Sequence, residues 1–415
     1  MLAAIINMFV PGSGARLMAQ GAASANKSGP TLIGLSLFSG FRSQNYGPSL
    51  EVEDLGKLQD KTAFMAEPIT DRQTLMDEKH LMKRRMEIFI LSVQKNVFEA
   101  LKRIEAEEAN KKIPELPVPG VKADQIEDKI VIDRWTRKEG GGGITCIIQN
   151  GEVFEKAGVN ISVVYGNLPQ PAIQQMKSRG KQFSKLVKDK TEVPFFAAGV
   201  SSVIHPRNPN VPTIHFNYRY FEVEQPTEDE SKKELMWWFG GGTDLTPYLL
   251  DERDCVHFHS ELKKACDKHD KSYYKRFKKW CDDYFFIVHR NERRGVGGLF
   301  FDDIDYPDQE KAFSFVKSCA QHILPSYIPL VEKNMHKGFT PEDREWQLLR
   351  RGRYTEFNLV YDRGTKFGLF TPGARYESIL MSLPLYAKWL YCHEPEPNSN
   401  YSKLMMVLKE PKDWI

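Results

Sequence analysis

The chain is expected to fold as an α+β protein, a large and mainly antiparallel β-sheet flanked by α-helices on both faces in a single domain. Three observations lead there. A long amphipathic helical pattern opens the folded part, strand-like runs then follow one another without a helix between each pair, and helical patterns gather in the second half. Strands that succeed one another directly favour antiparallel pairing over a doubly wound parallel sheet. At 415 residues the chain exceeds the length at which one core usually stops growing, so two ordinary domains are the alternative. It has neither an internal repeat nor a long Pro/Gly/Ser linker to divide it.

The elements are read in chain order. Met1 to Leu50 holds Arg16, Lys27 and Arg42 but no Asp or Glu, and is rich in Gly, Ala and Ser. Such a leader resembles a mitochondrial transit peptide, with an ordinary unstructured tail as the alternative. Residues 1–60 are therefore expected as leader, 61–79 as linker and 80–415 as the catalytic domain. His80 to Lys112 is helical, because Met82, Met86, Phe89, Val93, Val97, Leu101 and Ile104 recur at spacings of three and four. The three prolines of Ile113–Gly120 end it. Strands are predicted at Ile144–Gln149, Val159–Tyr165, Pro212–Val223, Leu235–Phe239 and Glu356–Tyr361. Helices are predicted at His257–Asp270, Ser272–Asn291, Asp308–Lys333 and Arg375–Tyr391.

Composition narrows the function classes. Lys plus Arg number 58 and Asp plus Glu 55, a net charge of +3, which argues against a dedicated nucleic-acid binder. No run of about 18 apolar residues is present, so no spanning helix is expected. The six cysteines form no C-x-x-C pair and read as isolated, mostly buried thiols.

Val211–Glu224 is the most informative stretch. Alternation places Ile214, Phe216, Tyr218 and Tyr220 on one strand face and His215, Asn217 and Arg219 on the other, about 7 Å apart in steps of two. An acid/base, an amide and a guanidinium in a row suit an anionic substrate lying across a sheet; a solvated face of a half-exposed strand is the plainer alternative. Upstream, AGVSSVIHPR carries Ser201, Ser202 and His205. Downstream, WWFGGGTDLTP has three glycines that allow a sharp turn or a close backbone approach, and Asp244 is expected at the mouth of that turn. A turn-capping role for Asp244 is the alternative. Gly140–Gly143 lacks a following Lys-Ser/Thr and is no phosphate loop. His257 and His259, two apart on a helix, point to nearly opposite sides, and no H-E-x-x-H is present, so no metal site is expected. In Arg350–Arg375 basic side chains alternate with aromatic ones, which fits nucleic acid, a flat anionic small molecule, or a buried interface.

Taken together, AGVSSVIHPRNPNVPTIHFNYRYFE, WWFGGGTDLTP, KKWCDDYFFIVHRNERRGVGGLFFDD and FGLFTPGARYESILMSLP resemble the oxygen-dependent coproporphyrinogen-III oxidases of haem biosynthesis, from about residue 80 to the C-terminus. The resemblance implies a homodimer in the mitochondrial intermembrane space that binds coproporphyrinogen III. It implies oxidative decarboxylation of two propionates to vinyls, giving protoporphyrinogen IX, with oxygen as co-substrate, no metal or organic cofactor, and release of carbon dioxide and hydrogen peroxide. By the same resemblance His215 is the proton donor and Asp244 a carboxylate for pyrrole N–H groups. Ser201, Asn217, Tyr218, Arg219, Gly373, Ala374 and Arg375 are substrate-binding, Ala374 standing where some relatives have Ser. A metal set described for bacterial relatives matches His205, His215, His259 and His289. The dimer contacts match Asn150–Val159 and Tyr354–Leu390. A metal-dependent tetrapyrrole oxygenase and a non-catalytic tetrapyrrole carrier are the rival functions.

Overall fold

The computed structural model describes residues 58–109, 130–168, 193–225, 234–370 and 374–415. Residues 1–57 of the expected leader and the proline-rich stretch after the first long helix lie outside the described residues. Seven strands form one sheet whose spatial order follows the chain: β1 (Ile130–Thr136), β2 (Gly141–Gln149), β3 (Phe154–Asn167), β4 (Pro194–Pro206), β5 (Thr213–Gln225), β6 (Glu234–Thr246) and, at the far edge, β9 (Gly298–Ile304). Every neighbouring pair is antiparallel. The short strands β7 (Phe286–Ile287) and β8 (Glu292–Arg293) make a separate hairpin.

One face of the sheet is closed by helices. Helix α2 (Met82–Ala109) follows α1 (Arg72–Asp77) and lays Met86, Phe89, Val93, Val97 and Leu101 against the sheet. Its one buried amide, Gln94, is held by donating to Ile144 O (2.8 Å) and Val159 O (2.7 Å), while its Oε1 has no hydrogen-bond partner. Glu105 accepts from the backbone N–H of Glu152, Val153 and Phe154 and fixes the β2–β3 turn. Helices α3 (Glu252–Asp267), α4 (Tyr273–Tyr284), α5 (Gln309–Gln321) and α6 (Ile323–Asn334) complete the layer. The predicted alternation holds on β5: Ile214, Phe216, Tyr218 and Tyr220 are buried in this core.

The opposite face is partly covered by α7 (Pro341–Glu356), the turn Phe357–Tyr361, α8 (Arg363–Phe370) and α9 (Tyr376–Leu380); α10 (Asn400–Lys409) packs against α7. Arg351 of α7 is wholly buried and reaches Glu155, which sits at the irregularity where the β3–β4 register shifts.

Several expectations are corrected. Leu58, from the segment expected as leader, and Phe64 and Leu75, from that expected as linker, are buried in the core. Glu356–Tyr361 is no strand but an extra-wide helical turn closed by Asp362 N–H to Phe357 O at 2.9 Å. The predicted helix Asp308–Lys333 is broken at His322 into two. The one predicted over Ser272–Asn291 stops at Tyr284, and that over Arg375–Tyr391 persists only through Tyr376–Leu380. Gly240–Gly242 make no turn: they lie inside β6, and a Cβ at Gly240 would sit 2.7 Å from the Arg219 guanidinium and the Asp302 carboxylate. Close approach, not a change of chain direction, is what these glycines provide.

Candidate active site

The face of β3, β4 and β5 away from the core carries a cavity open to solvent, about 630 Å³ when the space at its mouth is counted. Directly paired residues in an antiparallel sheet share a face. The register therefore sets Asn160, Ser201 and Asn217 in one row and Val203, His215 and Asp244 in the next. All of these except Asp244 line the cavity.

Asp244 stands behind His215. Its Oδ1 is 2.7 Å from His215 Nδ1, and Arg294 Nη2 donates to Oδ1 (3.1 Å) and Oδ2 (2.8 Å). Asp244 is only 2% exposed. Burial alone would raise its carboxyl, but the neighbouring Arg294 and His215 outweigh burial and hold it below the usual carboxylate value. The carboxylate is thus ionised, and His215 is held with one ring nitrogen fixed.

Arg294 is brought here by the β7–β8 hairpin, turned by Asn291 at φ 52° and tied by Arg294 N–H to Phe285 O. Its guanidinium lies over the rings of Phe285 (4.0 Å) and Tyr354 (4.3 Å) and donates to Asn358 Oδ1 at 2.8 Å. Rings supply partial compensation for a buried cation that the single carboxylate does not fully surround. Across the cavity a second carboxylate, Asp362, accepts from Tyr284 OH (2.9 Å) and from Thr365 N–H (2.6 Å). Phe300, stacked on Tyr284 at 4.0 Å, adds an aromatic wall. Such a cavity offers acceptors for N–H groups, a cation, an imidazole and flat apolar walls.

The other expected residues are placed as follows. Ser201 and Asn217 line the cavity beside His215. Arg219 is 1% exposed, donates to Asn217 Oδ1 and pairs with Asp302 at 3.0 Å, off the cavity wall. Tyr218 points into the core on the far face, its hydroxyl 2.5 Å from Thr243 Oγ1. Gly373 lies outside the described residues, Ala374 is half-buried, and Arg375 is paired with Asp133 on β1 away from the cavity. The four histidines of the metal description do not converge. His205 contacts Thr213 Oγ1 and Ser382 O, and His259 contacts Tyr274 OH and Val296 O. His289 faces Tyr361 and Glu356. Burial, with Lys278 nearby, pushes His259 down to about 3, so its ring is neutral. Among the described residues no cluster of three or more His, Cys, Asp or Glu is spaced to hold a metal ion.

Reasoning from sequence missed Arg294, Asp362, Tyr284 and Asn160. Each reaches the site from a distant part of the chain; the only local signal was the Arg293-Arg294-Gly run after a helix, too short to mark a site.

A family model described as coproporphyrinogen III oxidase matches residues 85–414. The chain is 57% identical over 385 residues to a Drosophila melanogaster protein named oxygen-dependent coproporphyrinogen-III oxidase, covering 93% of this chain and 92% of that one. It is 54% identical over 379 residues to a Homo sapiens protein named oxygen-dependent coproporphyrinogen-III oxidase, mitochondrial, covering 91% and 77%. With an Arabidopsis thaliana protein named coproporphyrinogen-III oxidase 1, chloroplastic, it shares 56% over 283 residues, covering 68% and 72%.

Proposed function

The chain belongs to the coproporphyrinogen III oxidase family, and on that premise we propose that it decarboxylates coproporphyrinogen III oxidatively to protoporphyrinogen IX in haem biosynthesis, consuming oxygen. For each of two propionates the bond to the carboxylate carbon breaks and carbon dioxide leaves. The carbon next to the ring gives up a hydrogen with its electron pair, and a vinyl group remains. Oxygen takes that pair, the hydrogen and one further proton, and departs as hydrogen peroxide. The porphyrinogen is itself the reductant, so the electrons balance without a metal or an organic cofactor, which is the form of the reaction proposed here.

The observation that carries this reading is the imidazole of His215 at the cavity wall with an ionised Asp244 and Arg294 behind it. The carboxylate orients the imidazole at the cavity wall, where it can deliver the proton that reduced oxygen requires. Two Asp244 oxygens already receive three contacts from His215 and Arg294. With about four acceptor positions on a carboxylate, little capacity remains for a pyrrole N–H. Asp244 therefore serves first as the group that holds His215, and Asp362 is the carboxylate on the cavity wall that substrate N–H groups meet. Ser201 and Asn217 border the same floor. Arg219 lies one alternate position beyond Asn217, with its buried Nε free of any hydrogen-bond partner, and is proposed as a clamp for a propionate, a task suited to a guanidinium.

A homodimer is proposed through Asn150–Val159 and Tyr354–Leu390. Support comes from exposed apolar residues on the second segment, among them Leu359, Val360, Trp389 and Phe370, the last 83% exposed. Phe357, by contrast, is spent within the chain against Tyr284 and Phe285. Mitochondrial residence is supported by the names of the rat, mouse and human relatives and by the acid-free leader; the intermembrane space is the compartment proposed. None of the described helices is long and apolar enough to cross a membrane. The test is turnover of coproporphyrinogen III by the purified protein. Protoporphyrinogen IX should form in air and not under nitrogen, and formation under nitrogen would overturn the reading.

A further inference from the structure

We infer that Asn160 is a specificity residue whose side-chain carbonyl accepts a pyrrole N–H of the bound porphyrinogen. Asn160 is 1% exposed and borders the cavity. Its Nδ2 donates to the backbone carbonyl of Ser378 at 2.8 Å, while its Oδ1 has no hydrogen-bond partner. The Ser378 contact also fixes which end of the amide is which, because a carbonyl oxygen facing another carbonyl would repel. The acceptor is therefore the end left unpaired.

An unpaired buried acceptor costs free energy unless something fills it, and such atoms in native proteins call for an explanation. Register narrows the explanation. Thr145, Asn160, Ser201 and Asn217 are paired in sequence across β2, β3, β4 and β5 and share one face. The row spans about 14 Å at the usual strand spacing. Within it Thr145 is satisfied by Ser378 Oγ (2.8 Å), and Asn217 Oδ1 is taken by Arg219. Asn160 alone of these amides keeps a free acceptor. A propionate cannot fill it, being an acceptor itself, whereas a porphyrinogen brings four inward N–H donors. Entry of the macrocycle beneath the Ser378–Ser382 segment, where Ser378, Met381 and Ser382 also border the cavity, brings a donor to the vacant oxygen.

This inference rests on the proposed substrate, so the test keeps the two separable. Binding of coproporphyrinogen III is measured by calorimetry without oxygen, beside its tetraoxa analogue in which furan oxygens replace the four N–H groups. The wild type should prefer the N–H ligand, and if it does not bind coproporphyrinogen III at all, the functional reading fails instead. Asn160→Ala should weaken coproporphyrinogen III by about 5- to 30-fold and lose a matching part of the preference over the analogue. Asn160→Asp, kept neutral by burial, can donate to Ser378 O through its acid proton and still present an acceptor, so it should retain affinity and preference. If the Ser378 tether were all that mattered, Asn160→Ala would preserve the preference, and that result overturns the inference. Should Asn160→Ala fail to fold, a folded Asn160→Asp that has lost the preference overturns it equally.

Discussion

Asp244→Asn keeps the shape of the side chain and removes its charge from between His215 and Arg294. Arg294 is 3% exposed, so the variant leaves the guanidinium without its paired carboxylate, beside Asn358, the new amide oxygen and the surrounding rings, with the charge of Asp362 acting on it as well. Breaking a buried ion pair by removing one member costs about 3–5 kcal/mol. The ring contacts and the residual amide acceptor place the expected loss at the lower end, about 3 kcal/mol. His215 loses the carboxylate that holds Nδ1, and turnover should fall by about 10²–10³-fold. Stability has its own pH signature. The Asp244 carboxyl lies below its ordinary value in the folded protein, so its contribution is fully present above the unfolded value of about 3.9 and disappears as pH falls through the folded one. The difference in urea midpoint between wild type and variant should be constant from pH 7 to 5 and narrow below about pH 4. Turnover and urea unfolding of the same preparations are the assay. A variant with near wild-type turnover and an unchanged midpoint would show that Asp244 is only a strand residue and refute the reasoning.

Arg219→Ala should raise KM and also slow turnover, because a clamp on propionate acts in both ground and transition states; an unchanged KM removes Arg219 from the substrate. Glu155→Gln strands Arg351, which is fully buried, and half-buried Arg344, so thermal unfolding should show a loss of about 3–5 kcal/mol, with KM little changed in the folded fraction. Sedimentation at micromolar concentration should show a dimer that Leu359→Asp with Val360→Asp dissociates, since an apolar interface core does not tolerate two unpaired charges; a dimer unaffected by the pair would move the interface elsewhere.

How far the sequence could be read depended on how local the determining contacts are. β5 was legible because it is half-buried, and alternation alone separates Phe216 and Tyr218 from His215 and Asn217. β4 carries no strand signal of its own, since Ala197, Ala198 and Gly199 show no alternation: both of its faces are covered. Helix α7 was overlooked although Thr340 and Asp343 form a capping box with Pro341 at the first position, a signal that the basic, aromatic pattern after it obscured. Leu359 and Val360 suggested a strand, but the turn that holds them continues α7 and is decided by packing of Phe357 on Phe285. Of the site, His215, Asn217 and Ser201 followed from alternation and resemblance. Arg294 did not, because its partner Asp244 is fifty positions away and only the sheet brings them together. Arg219 and Arg375 looked equivalent as cations, yet one is buried on Asp302 and the other is surface-paired with Asp133.

In the proposed reaction the porphyrinogen is the sole source of electrons for oxygen at the His215 site. Oxygen uptake, peroxide formation and carbon dioxide release should be followed together on protein stripped of metal by chelation. One oxygen consumed and one peroxide formed per carbon dioxide, at undiminished rate, is the predicted result. A rate that returns only when a metal is added back, or oxygen uptake out of step with carbon dioxide release, would contradict it.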